Sequence, residues 1–238
     1  MRKITTLLTI ILLSCVICFF YIESGTAKTS TRKSVNLRTL INKMQKRFDE
    51  VLAFQADFIQ ETYSGATQLT STGKGKLYLQ KPRMMRWDYT EPEPQSFVTD
   101  RAKTWLYIPS EKKILLDDAK HFFDSPLVKS FLDGPKNLTK YFKVEVEKGV
   151  NYAGYILKLV PRNQKEQFDV EEIRLWVNNR QYQIETVETK DYLGNRNKVK
   201  LMNIKVVKEL PTDLFTLTVP KGVIVERNVV NDSTPPNK

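Results

Sequence analysis

Apolar residues first recur at helical spacing. Leu37, Leu40, Ile41, Met44, Phe48, Val51 and Leu52 fall on one face of a 3.6-residue repeat, with Arg38, Asn42, Lys43, Lys46 and Arg47 on the other. This predicts one amphipathic helix of about four turns. The period then shortens to two. Phe54, Ala56 and Phe58 alternate with Gln55, Asp57 and Ile59; Leu77 and Leu79 form a second alternating pair. Met85, Trp87 and Tyr89 share a face opposite Arg86 and Asp88. Further short pieces run at 97–99, 105–108 and 114–116, at Phe142/Val144/Val146, Tyr155/Leu157/Leu159, Ile173/Leu175/Val177 and Tyr182/Ile184, over 199–207, and at Phe215/Leu217/Val219. Asn178-Asn179, Leu193-Gly194-Asn195 and the Pro-containing 91–94 supply turns between them. About ten short strands at close spacing predict a single antiparallel sheet, curled into an open or closed barrel.

A helical interruption divides the strands. Ser125 suits a cap, Pro126 a first helical position and Gly134 a left-handed stop. Leu127, Val128, Phe131 and Leu132 give this short helix an apolar face, and the run from 137 to 142 adds a further turn. One sheet and two amphipathic helices make a mainly β, α+β arrangement in which helices cover the mouth or concave side of the sheet.

The first 22 residues change the picture of where the chain works. Arg2 and Lys3 precede an apolar run from Ile4 to Ile22, and Gly25 and Ala27 follow as small residues, the layout of a cleavable secretory signal over 1–27. A polar segment (28–34), a folded domain (35–226) and a polar, Pro-containing tail (227–238) expected to be disordered complete the plan. An uncleaved anchor and a lipid-modified Cys15 are the competing readings of the leader. Cys15 and Cys18 are the only cysteines, so a chain cut after Ala27 has no disulfide and no thiolate chemistry. The 38 basic and 27 acidic residues, less Arg2, Lys3 and Glu23, leave a mature chain of net charge +10. Export makes nucleic acid the least fitting partner for that charge, and an anionic membrane or acidic protein surface the better ones.

A search for catalytic chemistry returns little. His121 is the single histidine and no Gly-x-Ser-x-Gly accompanies it, so neither a hydrolase triad nor a zinc site is expected. The Gly73–Lys76 run lacks the spacing of a phosphate loop. No enzyme activity, metal or cofactor is expected. Aromatic and charged residues sit on opposite strand faces, which suits a pocket for a greasy ligand.

Stretches spread along most of the chain resemble a known family. They are FQADFIQ at 54–60, GKLYLQKPRMMRWDYTEPEPQSFVTD at 75–100, SPLVKSFLDGPKNLTKYFKV at 125–144, LKLVPR at 157–162, DYLGNRNKVKLMNIKVV at 191–207 and LFTLTVPKGVIV at 214–225. The combination of Gly75-x-Leu77, Lys81-Pro82, Trp87, Asp191-x-x-Gly194 and Pro220-x-Gly222 is similar to that of the periplasmic carriers of outer-membrane lipoproteins, the LolA family. The resemblance implies an incomplete β-barrel with helices as a lid over a hydrophobic cavity. That cavity would shield lipoprotein acyl chains between an inner-membrane lipoprotein-releasing ABC transporter and an outer-membrane acceptor, the carrier acting as a monomer in the periplasm. By position Met85, Trp87 and Tyr89, with Leu77, Leu79, Phe54 and Phe58, are expected to line the cavity, and Leu127, Val128, Phe131 and Leu132 to form the lid. The family's lid-closing basic residue, usually Arg, corresponds to Lys81, which keeps the charge and loses the planar five-donor fork. A second departure is Arg101, where family members often carry Gly; a turn without positive φ is expected there. An outer-membrane acceptor of the same fold and a lipid-binding sensor are the alternative functions.

Overall fold

The computed structural model describes residues 36–132, 134–147, 152–163 and 168–227. The expected signal, the polar segment after it and all of the expected tail except Arg227 lie outside the described residues. Asn36 opens helix α1 (Leu37–Glu50), its side-chain oxygen accepting from the backbone N–H groups of Arg38 at 2.9 Å and Thr39 at 3.3 Å. Two of the donors that a helix start leaves unpaired are thus satisfied. Leu40, Ile41 and Met44 form its buried face, as the spacing predicts.

The strands follow as β1 (Ala53–Tyr63), β2 (Thr70–Gln80), β3 (Met84–Glu91), β4 (Gln95–Asp100), β5 (Lys103–Ile108) and β6 (Lys113–Asp118). Three short helices intervene: α2 (Ala119–Phe123), α3 (Pro126–Leu132) and α4 (Pro135–Tyr141). Then come β7 (Phe142–Val146), β8 (Tyr155–Pro161), β9 (Glu172–Val177), β10 (Ile184–Lys190), β11 (Arg196–Val207) and β12 (Ile224–Arg227). All twelve belong to one sheet, in the order β12-β6-β5-β4-β3-β2-β1-β11-β10-β9-β8-β7. Pairing is antiparallel except at one edge, where β12 lies parallel to β6. The two end strands β12 and β7 are not paired with each other, so the sheet curls without closing.

One face of this sheet is apolar across its central strands. Phe58 stands opposite Leu201 on one side and Gly75 on the other, and Trp87 opposite Leu77 and Phe97. Gly75 is required by a close approach: a Cβ there would lie 2.0 Å from the Asp88 carbonyl oxygen and 2.9 Å from the Phe58 ring. The space it leaves is filled by Phe58, whose ring meets Trp87 edge-on at 4.7 Å and Tyr89 at 4.8 Å. The interior falls into two clusters, one built on β1–β5, β11 and α2, the other on α1, α4 and β7–β10. Helix α3 joins them, Val128 in the first and Leu127 and Phe131 in the second.

Three expectations change. Phe215, Leu217 and Val219 do not form a strand: residues Thr212–Phe215 make a 3-10 turn between Pro211 and Pro220. Phe215 and Leu210 are instead buried against Ala53 and Met84 on the outer face of the sheet, and Gln80 accepts the Leu210 N–H at 2.6 Å. Tyr182 has φ +58° in the β9–β10 turn and precedes the strand rather than opening it. Arg101 does adopt positive φ, +85°, contrary to the expected turn. Asp100 stabilises that turn by accepting the N–H groups of Ala102 at 3.0 Å and Lys103 at 2.8 Å, and Arg101 reaches the Pro82 carbonyl at 3.1 Å. These contacts offset the steric cost of the left-handed conformation.

Candidate functional site

A cavity of about 250 Å³ opens where α1, α3 and α4 meet the Gln80–Met84 end of the β2–β3 hairpin. Its apolar lining comes from four places: Met44 and Phe48 of α1; Phe54, Leu79 and Met85 of the sheet; Phe123 of α2; and Phe131, Leu132 and Leu138 of the covering helices. Tyr182, Gln183 and Ile184 border it from the β9–β10 side. The other end of the interior is polar: the Tyr89 hydroxyl donates to Gln60, whose amide donates to Asn197 at 2.7 Å. The pairing is incomplete, since the buried Asn197 Nδ2 has no hydrogen-bond partner.

Of the residues expected from sequence, Phe54, Leu79, Met85, Phe131, Leu132 and Lys81 come together around this cavity. Phe58, Leu77, Trp87 and Tyr89 lie deeper along the same face, packed in the aromatic cluster, with Trp87 donating to the Met85 sulfur at 3.2 Å. Leu127 and Val128 are buried on the core side of α3. Sequence reasoning missed Met44, Phe48 and Leu138, although the helical stripe contained the first two. It also missed Gln183, which borders the cavity and is only 2% exposed.

Lys81 reaches back to α1. Its ammonium donates to the carbonyl oxygen of Phe48 and sits 3.6 Å from the centre of the Phe48 ring. Burial pushes its pKa down from 10.5 to about 8, against the opposing charge of Asp49. The Lys81 N–H also donates to the Leu52 carbonyl at 2.8 Å, so the β2–β3 connection is tied both to the last turn of α1 and to the link that follows it. The neighbouring arginines take other paths. Arg83 places its guanidinium 5.3 Å from the Phe123 ring centre, while Arg86 points outward to Asp88 at 2.7 Å and to the Leu214 carbonyl. Gln45 holds α4 onto α1 by accepting the Lys136 N–H at 2.9 Å. His121 is a surface residue, its Nδ1 2.7 Å from Asp117 at the end of β6.

Comparison with known proteins agrees with this geometry. Residues 49–218 match the family described as outer membrane lipoprotein carrier protein LolA. An outer-membrane lipoprotein carrier protein of Haemophilus ducreyi is 26% identical over 187 residues, covering 78% of this chain and 84% of the relative. One of Francisella tularensis subsp. novicida is 25% identical over 207 residues, covering 87% and 93%. A solved structure of an uncharacterized conserved protein from Thermus thermophilus shares the fold, with TM-score 0.51, 15% identity, and coverage of 80% of this chain and 98% of that one.

Proposed function

Because the chain belongs to the outer-membrane lipoprotein carrier family LolA, we propose that it is a periplasmic chaperone that takes lipoprotein acyl chains into the cavity beneath α1, α3 and α4 and carries them from the inner to the outer membrane. In this reading the cargo arrives from an inner-membrane lipoprotein-releasing ABC transporter and leaves to an outer-membrane acceptor, and the carrier does no chemistry on it. The observation that supports it most is the placing of an apolar cavity under helices, where no strand ladder holds the roof.

The cavity is smaller than the roughly 300–1,000 Å³ of sites that take drug-sized ligands, so several acyl chains require the roof to move. Parting α3 from the sheet would open the apolar region around Met85 toward Trp87 and Tyr89, extending the lining along the face where the sequence stripe lies. The physics of carrying is a difference. Each buried methylene contributes about 0.8 kcal/mol in the cavity and nearly the same in a membrane, so only a small preference separates uptake from release. Opening without cargo exposes the apolar sides of Leu127, Val128, Phe131 and Leu132, which favours closure when the cavity is empty.

The test is capture. Incubated with membranes holding a triacylated lipoprotein and its release machinery, the protein should form a soluble one-to-one complex on size exclusion. Met85→Glu, which places a charge in the wall, should abolish that complex while circular dichroism still reports a folded chain. A folded wild type that captures nothing, or a folded Met85→Glu that captures normally, would overturn the assignment of this cavity.

A further inference from the structure

The rim of the cavity is unlike its interior. Arg47, Lys81, Arg83 and Lys129 border it, and among the described residues that border it there is no aspartate or glutamate. The nearby carboxylates stand behind these cations: Glu50 is 3.7 Å from Arg47, Asp124 is 3.9 Å from Lys129, and Asp49 acts on Lys81. Arg83 has no carboxylate partner among the described residues, only the Phe123 ring. Lys81 is half-buried with a backbone carbonyl and an aromatic face as its described partners, although an ammonium has three donors to satisfy.

A second observation points the same way. Gln183 is 2% exposed, borders the cavity, and its side-chain Nε2 has no hydrogen-bond partner. Its Oε1 faces the Arg47 Nε at 3.4 Å, which orients the NH2 group as the free end. A buried donor without an acceptor is destabilising, and a ligand that supplies the oxygen removes that penalty. The head of a triacylated lipoprotein carries no charge, since its amine is acylated, so it brings no counter-charge to Arg83 at the rim.

We propose that this cavity also takes single amphiphiles whose head is a negatively charged oxygen group, the carboxylate of a fatty acid or the phosphodiester of an anionic glycerophospholipid. The chain lies against Met44, Phe54, Met85 and Leu138, and the head is held at the rim by Arg83, Lys129 and the amide of Gln183. This inference rests on the cavity being the acyl-binding site, and it adds a class of ligand to that reading.

The test uses the purified full chain and displacement of a neutral environment-sensitive dye by three single-chain lipids: palmitate, palmitoyl-lysophosphatidylglycerol and the uncharged monopalmitoylglycerol. At least one anionic lipid should compete at a concentration about tenfold lower than the neutral one, in keeping with charge-assisted hydrogen bonds. A lead for palmitate identifies a fatty acid as the source, and a lead for the lysophospholipid identifies the membrane. The double variant Arg83→Gln/Lys129→Gln alters exposed side chains, so it should keep the fold, lose that advantage and bind monopalmitoylglycerol as before. Equal competition by all three lipids, or a preference that survives the double variant, overturns the inference. If the neutral lipid and a triacylated lipopeptide bind without any anionic preference, only the head-group inference fails; if nothing binds, the cavity reading fails with it.

Discussion

Lys81 is tied to α1 against the cost of burying its own charge. Its pKa in the folded chain, about 8, lies below the 10.5 of the exposed side chain, so burial disfavours the charged form. The unfolded or opened chain therefore binds the proton more tightly, and the closed form gains stability as pH rises from about 8 to about 10.5, with no slope from this group below that window. Hydrogen exchange of the α1 amides between pH 7 and 10 should show slower opening at the alkaline end. Lys81→Arg, charged throughout, should remove that slope. Gly75 carries a second residue-scale prediction. Gly75→Ala drives a methyl group into the Asp88 carbonyl and the Phe58 ring, and should destabilise the chain by about 1–3 kcal/mol in urea denaturation. The inward direction of Met85, Trp87 and Tyr89 was legible, because period-two alternation decides a face. Which of them borders a void was not, because the roof above Met85 comes from α3 and α4, far along the chain.

Elements were legible in proportion to their length. The fourteen-residue α1 shows an apolar stripe that was readable, whereas its capping Asn36 emerged only from the structure. Helix α2 has five residues, too few to display a period, so it went unread; the structure shows Asp118 capping it by accepting the Lys120 N–H at 2.7 Å. The segment around Phe215 read as a strand because alternation alone does not distinguish a strand from a loop whose apolar residues plug an existing sheet. Between α3 and α4, Gly134 sits at φ +89°, ψ 165°, a conformation open essentially to glycine. A Cβ there would also stand 2.7 Å from the Gln45 amide that docks α4 on α1. Gly134→Ala should therefore cost about 1–3 kcal/mol and raise hydrogen exchange in α4 more than in β1. Equal protection in the two elements would mean that the helix junction is not strained by the change.

Across the whole molecule the two sides of the sheet have separate duties. The concave side holds the cavity, while the outer side near Ala53 is closed by the returning chain through Leu210 and Phe215. Phe215→Ala should destabilise the protein by about 3–5 kcal/mol, the usual cost of emptying a buried aromatic site, yet leave the binding of a single-chain lipid unchanged below the melting transition. Altered lipid affinity in the folded variant would show the two faces to be coupled. The outer face of the opposite half is polar, where Arg174 meets Glu147, Glu172 and Glu188 at 2.9, 2.8 and 3.4 Å, so water is the solvent on that side. The unpaired ends β12 and β7 bear on capacity. In a closed barrel, strand number and stagger fix the circumference. A sheet with a seam has no such fixed girth: its two hems, β12 and β7, are not stitched together, so no closing register dictates the circumference.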